Sequence, residues 1–486
     1  MVAFHFAWSS FFCAWISTFS PAALLPLIRE SLNLTTFDIG NAGIAAVCGA
    51  IAGRIAMGTA IDRYGPRCGI CCCLGLTSPA VFLIALAQTP AQFLIARLFI
   101  GFTLSNFVAC QFWCSSMFNV KVVGFANACG AGLGNSGGGW ALLLMPLVCN
   151  AIVSSMGLPV FVAWRWCFMV PGCLQVFMTI TTMLFATDCP DGNYADLKAS
   201  GAMKRQSNMA MWRAAVTNYR TWVMMATYGY SFGVELTMNN LLSQYMFDQF
   251  SLGLQTAGLL ASVFGLTNIL SRPSGGLLSD YVASRWGMRG RLWALWITQT
   301  LAGLMCLLLG LVSSSLPATM AVLVMLSVTC QQSAGLSFGV VPFVSKRSTG
   351  LVAGFVGAGG NVGASLNQAI FFTYAPLSTP QGFFWMGVLA MAVTALYALV
   401  YFPMWGGMLT APKEGLSEEA YYMAEFTPEE IAQGLHTASL RFAFESRSQR
   451  SSTAGRKDAS VRAGAACNGA IGAGPAQIIA VARPAV

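Results

Sequence analysis

The chain has 486 residues, 56% of them hydrophobic and only 9% charged, with a mean hydropathy of +0.65 and a formal net charge of +9. So few charges cannot clothe an ordinary water-facing surface, which excludes a soluble globular domain and places the chain in lipid. The excess of Lys and Arg falls in loops between apolar runs and is not a nucleic-acid footprint.

Apolar runs of about 20 residues begin near positions 4, 41, 69, 92, 122, 162, 219, 255, 292, 317, 349 and 383, which predicts twelve membrane-spanning helices. No small-residue cleavage pattern closes the first run and eleven more follow, so it reads as a retained span. The second run carries Arg54, Gly58 and Asp62, and the eighth carries Arg272, Gly276 and Asp280 at the same spacing, 218 residues later. Steps of four stay on one helix face, so each arginine lies about 12 Å from its aspartate along the axis, close to half a bilayer core. A charge at that depth costs from about 3 to more than 10 kcal/mol, and matched arginines there are candidates for holding an anion. A planar, permanently charged fork suits the oxygens of a flat anion, and no acid lies within four residues of either arginine in its own helix.

The fourth span carries Arg97. In the fifth, Gly134, Asn135, Ser136 and Gly137 answer Gly360, Asn361, Val362 and Gly363 in the eleventh, at an offset of 226, with Gly132 and Gly359 as further glycines of the two segments. Glycines in membrane helices ordinarily permit close packing, while the asparagines either donate to an anion or lock one helix to another. Glu235, about fifteen residues into the seventh span between Val234 and Leu236, is the candidate for a transported proton, with Arg97 as its partner or as an independent gate. A structural glutamate bonded to a neighbouring helix is the alternative.

Basic residues mark alternate loops: Arg63 and Arg67; Lys121; Lys198, Lys204, Arg205 and Arg213; Arg285, Arg289 and Arg291; Lys346 and Arg347. The positive-inside bias puts these loops and both termini on the cytoplasmic side, Arg29 being the main exception. The expected organisation is a six-helix half over 1–187, a polar linker over 188–218, a second six-helix half over 219–404 and a tail over 405–486, disordered after 450. Halves related about an axis along the membrane normal would bring Arg54 and Arg272 to the central interface. The 16 cysteines read as small buried hydrophobes, and His5 and His436 can anchor neither a catalytic triad nor a zinc site. With no nucleophile, metal or nucleotide motif, neither enzyme activity nor a cofactor is expected. In the tail, Glu418, Glu419, Glu425, Glu429 and Glu430 alternate with aromatic residues as an amphipathic segment, and Ser448, Ser451, Ser452 and Thr453 lie among arginines as phosphorylation candidates.

Gly58-x-x-x-Asp62-Arg63-x-Gly65-x-Arg67 is similar to the loop motif of the major facilitator superfamily. Residues 131–139 and 357–364 resemble the paired signatures of the nitrate/nitrite porter family. Asp38-Ile-Gly-Asn-Ala-Gly43, Cys110-Gln-Phe-Trp113, Tyr228-Gly-Tyr-Ser-Phe-Gly-Val-Glu235 and the tail from Leu435 to Ser448 resemble the high-affinity nitrate transporters of plants and green algae, over roughly residues 4 to 450. The resemblance implies an all-α major facilitator fold of twelve transmembrane helices in two pseudo-symmetric halves. It further implies import of nitrate, and of nitrite, coupled to protons at the plasma membrane. Arg54, Arg272, Tyr228 and Asn135 match the family's nitrate site, Asn361 is the counterpart of Asn135, and a small single-span accessory membrane protein is the implied partner. Inward movement of one negative charge costs about 2.3 kcal/mol per 100 mV, so concentrative uptake calls for at least two protons per anion. A nitrate/nitrite exchanger and a nitrate receptor signalling through its tail are the alternatives.

Overall fold

Each apolar run becomes a helix because hydrocarbon offers no partner for a backbone N–H or C=O, so every such group must be satisfied within its own segment. The computed structural model describes residues 2–118, 120–189, 192–200 and 208–445. The first six spans are Val2–Ala23, Thr36–Tyr64, Pro66–Leu86, Pro90–Met117, Val120–Met156 and Val160–Phe185. The seventh is broken into Tyr219–Gly229 and Phe232–Phe250. The eighth and ninth lie within Leu254–Leu311 and are separated at Gly287, whose φ of 62° only glycine adopts readily. The tenth, eleventh and twelfth are Leu316–Ser337, Thr349–Asn367 and Thr379–Thr394. The seventh and eleventh fall short of a simple hydropathy criterion for the same reason that they matter. One carries Glu235, Asn239 and Asn240 beyond its break, and the other carries Asn361 and Asn367 before a π-helical turn, Gln368–Thr373.

Local chemistry sets the ends. Thr35 and Asp38 close a capping box at the start of the second span, with the Asp38 amide donating to Thr35 Oγ1 at 3.2 Å, and Ser378 with Gln381 does the same for the twelfth. Gly65 joins the second and third spans at φ 88°, and a Cβ there would also meet the Asp188 carboxylate at 2.6 Å. That carboxylate accepts from the amides of Arg67 at 2.9 Å and Tyr194 at 3.2 Å, tying this loop to the end of the sixth span.

The two halves pack alike. In the first, span one lies on span five, two on four and three on six; in the second, seven lies on eleven, eight on ten and nine on twelve. The halves meet where the second span packs on the eleventh and the fifth on the eighth. Glycines allow these approaches: a Cβ on Gly132 would meet the Asn268 carbonyl at 2.6 Å, and Gly139 and Gly265 touch backbone to backbone. Leu76, Phe99, Phe177, Leu184, Leu270 and Trp286 point outward, as a lipid-facing surface requires.

After a short hairpin pairing Tyr401 with Gly407, the expected amphipathic tail segment forms helices Glu418–Met423, Pro428–Ala432 and Thr437–Glu445. These dock on the loop between the tenth and eleventh spans. Arg347 forms a bidentate pair with Glu430 and donates to the Glu425 carbonyl, Tyr421 donates to the Val344 carbonyl at 2.8 Å, and the Lys346 ammonium lies 3.1 Å from the centre of the Phe442 ring. Ser448, Ser451, Ser452 and Thr453, like Lys204 and Arg205, lie outside the described residues.

Candidate substrate site

Arg54 and Arg272 are both buried, on the faces of the second and eighth spans that meet the opposite half. Both approach the Phe232 ring, whose centroid is 5.0 Å from the Arg54 guanidinium carbon and 5.5 Å from that of Arg272. Phe232 stacks on Tyr228 at 5.3 Å and on Phe107 at 6.1 Å, and Phe338 closes edge-on against both Tyr228 and Phe107. The result is an aromatic chamber with both guanidinium groups against Phe232, in which ring faces stabilise cations without neutralising them.

The matched spacing of the two arginines does not extend to their surroundings. Arg272 Nη2 donates to Glu235 Oε2 at 2.5 Å, and its Nε donates to Asn268 Oδ1 at 3.2 Å. Glu235 Oε1 accepts from Asn268 at 2.9 Å and from Asn135 at 3.3 Å. The expectation of two arginines without acid partners is therefore corrected for Arg272. Its partner comes from another helix, which a search within its own helix cannot find. Arg54 donates through Nη1 to the Gly357 carbonyl at 2.5 Å and sits 4.9 Å from the Phe107 centroid, while its Nε and Nη2 have no hydrogen-bond partner among the described residues. With Glu235 as carboxylate, two guanidinium groups and one acid leave the chamber with one positive charge, on the Arg54 side.

Glu235 also departs from expectation in position and partner. The seventh span breaks at Tyr230 and Ser231, so Glu235 stands in the first turn of a second helix, where the free N–H groups and helix dipole favour an acid. Arg97 is not its partner: that guanidinium donates to the Thr18 carbonyl at 2.5 Å and to Asn240 Oδ1 at 3.0 Å, joining the first span to the seventh. Asn361 donates to the Gly357 carbonyl at 3.5 Å, so it shares an acceptor with Arg54. The Oδ1 atoms of Asn135 and Asn361 are buried without hydrogen-bond partners among the described residues, and the buried Tyr228 hydroxyl faces Arg272.

The signature glycines act in packing. A Cβ on Gly134 or Gly137 would collide with the first span at Phe11 or Phe12, and one on Gly359 or Gly363 would strike the seventh at Met225 or Gly229. Gly360 backs directly on Phe232, the ring that both arginines approach. Toward the basic loops, Gly276 and Asp280 line a crevice of about 20 Å³ that reaches Arg272, and Asp280 pairs with Arg291 at 2.8 Å across the Gly287 turn. Gly58 faces the start of the eleventh span, where a Cβ would come to 3.9 Å from the Gly350 carbonyl, Arg63 lies over the Tyr64 ring, and Arg67 reaches the Ala186 carbonyl at 3.2 Å; the Asp62 side chain is outside the described residues. On the opposite side a crevice of about 10 Å³ reaches Arg97 and Asn240, and Arg29 pairs with Asp248 at 3.1 Å between the halves. Arg54 and Arg272 are both buried, the narrow crevice on the basic-loop side leading to Arg272.

Sequence reasoning missed Asn268, Phe107, Phe232 and Phe338. Asn268 was within reach, since it precedes Arg272 by one helical turn and a polar residue there is placed to orient the guanidinium. Nothing in the sequence singles out Phe107 or Phe338.

Two six-helix halves around a buried, charged and aromatic centre define a membrane carrier. Residues 7–367 match the Major Facilitator Superfamily model. Nitrate transporter 2.2 of Chlamydomonas reinhardtii is 50% identical over 93% of this chain and 89% of its own length. High-affinity nitrate transporter 2.3 of Oryza sativa subsp. japonica is 51% identical over 91% and 86%, and high affinity nitrate transporter 2.5 of Arabidopsis thaliana 48% identical over 93% and 89%. The human organic anion transporter MFSD10 (TETRAN) superposes with a TM-score of 0.55 at 15% identity, over 80% of this chain and 98% of that one, which shows the shared fold. The chain belongs to the major facilitator superfamily and, within it, to the family of the plant and green-algal high-affinity nitrate transporters; it is a transporter and not an enzyme.

Proposed function

We propose that this protein imports nitrate with high affinity, and nitrite with it, by proton-coupled alternating access across the plasma membrane, with both termini in the cytoplasm. The observation that carries the reading is the charge of the chamber: Arg54 is buried with two donor nitrogens unpaired, beside Arg272 already matched by Glu235. A single uncompensated buried cation is costly, and a flat monovalent anion supplies the missing charge and acceptors. Arg54 then holds the anion's oxygens, Asn135 and Tyr228 orient it, and the second and eleventh spans are drawn together through the Arg54 contact to Gly357.

Coupling runs through Glu235. A proton on its carboxyl loosens Arg272 and adds a positive charge to the chamber, so protonation and anion entry reinforce each other. Return of the empty carrier restores the pair. The family resemblance supports a small single-span accessory membrane protein as partner. The test is current and labelled-nitrate uptake at two external pH values, with and without a candidate accessory protein. Inward current that rises with external acidity is expected. Electroneutral uptake that requires internal nitrite would establish exchange instead, and binding without flux would establish a receptor.

A further inference from the structure

The third span opens with four thiols in its first two turns, Cys68, Cys71, Cys72 and Cys73; three of them, Cys68, Cys72 and Cys73, line one groove, but only Cys68 and Cys72 are exposed. Cys71 Sγ donates to the Thr179 carbonyl of the sixth span at 3.6 Å, and Cys73 Sγ lies 3.2 Å from Ser105 Oγ of the fourth. Those two are spent on helix packing. Cys68 and Cys72, one turn apart, are exposed instead, with their sulfurs 3.9 Å from each other. They correct the expectation that the cysteines are all buried hydrophobes. Both line a groove of about 430 Å³ on the outer face of the bundle, walled by Met57, Ala60, Tyr64, Leu76, Phe99 and Phe102.

We propose that Cys68 is a site of S-acylation by a long-chain fatty acid and that the groove seats the acyl chain. Cys68 is the third residue of its helix, one residue past Arg67, so it stands at the end of the span next to a basic loop, the kind of juxtamembrane position at which cysteines are acylated. From there the groove follows the third span to Thr77, nine residues or about 13 Å farther into the hydrocarbon. Its walls are aliphatic and aromatic, and Cys72 lines its entrance. An acyl chain tethered at Cys68 fills a lipid-side cleft between the second, third and fourth spans that the side chains leave open. In the reaction the Cys68 thiolate attacks the carbonyl carbon of an acyl-coenzyme A. The protein S–C bond forms, the S–C bond to coenzyme A breaks, and the cysteine proton ends on the departing coenzyme A thiol, with no change of oxidation state.

The full-length protein, expressed in a eukaryotic host fed an alkyne-tagged fatty acid, should carry hydroxylamine-labile label. Label should fall about tenfold in Cys68→Ser and stay within about twofold of wild type in Cys173→Ser, whose thiol is also exposed but lies outside the groove. Hydroxylamine should lower the melting temperature of the wild type in mild detergent and leave that of Cys68→Ser unchanged. Unlabelled wild-type protein, or label that persists in Cys68→Ser, overturns the site. Label at Cys68 whose removal leaves melting unchanged overturns the groove as its seat.

Discussion

Arg54 and Arg272 occupy equivalent places in the two halves and live in opposite electrostatic circumstances. Arg272 is enclosed by a carboxylate and an amide that use its donors, while Arg54 has one carbonyl and two aromatic faces. A charge that is already paired holds the seventh and eighth spans in register. A charge left unpaired is available to a substrate. The duplication therefore yields a scaffold whose symmetry is broken by one acid, and that acid decides which arginine does which work.

The sharpest break of the comparison is to remove each cation. Arg54→Ala orphans no acid, so the protein should reach the membrane in near-normal amount with nitrate uptake lost. Arg272→Ala strands Glu235 in a buried site at about 3–5 kcal/mol, so folded protein should also fall. Adding Glu235→Gln to Arg272→Ala should restore the amount of folded protein and leave uptake low. Size-exclusion yield beside labelled-nitrate uptake checks all three, and equal yields for the two single variants would erase the distinction.

Exchanging fork for point charge is next in size. Arg54→Lys keeps the charge and removes the planar donor pair, so uptake should drop by two orders of magnitude or more, on the order of 3 kcal/mol of lost charge-assisted bonding. Glu235→Gln tests the other arm: accumulation against a gradient should fail and its pH dependence flatten, while exchange of labelled nitrate down its gradient survives. Counterflow and net uptake in the same vesicles at two pH values separate these outcomes.

Asn135→Ala removes one of two amides on Glu235 and should weaken apparent nitrate affinity by roughly tenfold, about 1.4 kcal/mol, with maximal rate largely kept. Asn361→Ala, which disturbs only the carbonyl shared with Arg54, should do less. A change confined to maximal rate in Asn135→Ala would assign that residue to gating.

The smallest effect lies in the tail, where the same contrast recurs: Arg347 has Glu430, while Lys346 rests on the Phe442 ring. Burial pushes the Lys346 ammonium down to about 7, against the pull of Glu418 and Glu425. With the tail undocked this loop lysine titrates near its ordinary 10.5, so between these values the undocked state holds more protons and docking strengthens as pH rises. It loses that gain as pH falls toward 7. Lys346→Met should remove the dependence and dock the tail a few-fold more tightly at pH 7, read as slower proteolysis of residues 410–445 at pH 7 than in wild type, the difference shrinking by pH 9.

The apolar runs, the loop charges and the repeated Arg-x3-Gly-x3-Asp and Gly-Asn segments were legible because each is a local pattern. Lipid punishes unpaired backbone and stray charge one residue at a time, so the sequence must carry the answer at every position. The break at Tyr230 and Ser231 was less legible, since a glycine and two polar residues in an apolar run are equally compatible with a continuous helix.

By itself the sequence determined the number of spans, the duplication and the two buried arginines, because burial of charge is a property of where a residue sits along a hydrophobic run. Only the tertiary structure decided that Glu235 neutralises Arg272 and not Arg54, that Arg97 joins the first span to the seventh, and that both cations meet at Phe232. Those assignments depend on which helix faces lie within a few ångströms of one another, and Coulomb and hydrogen-bond energies fall off over that distance, whatever the separation in the chain.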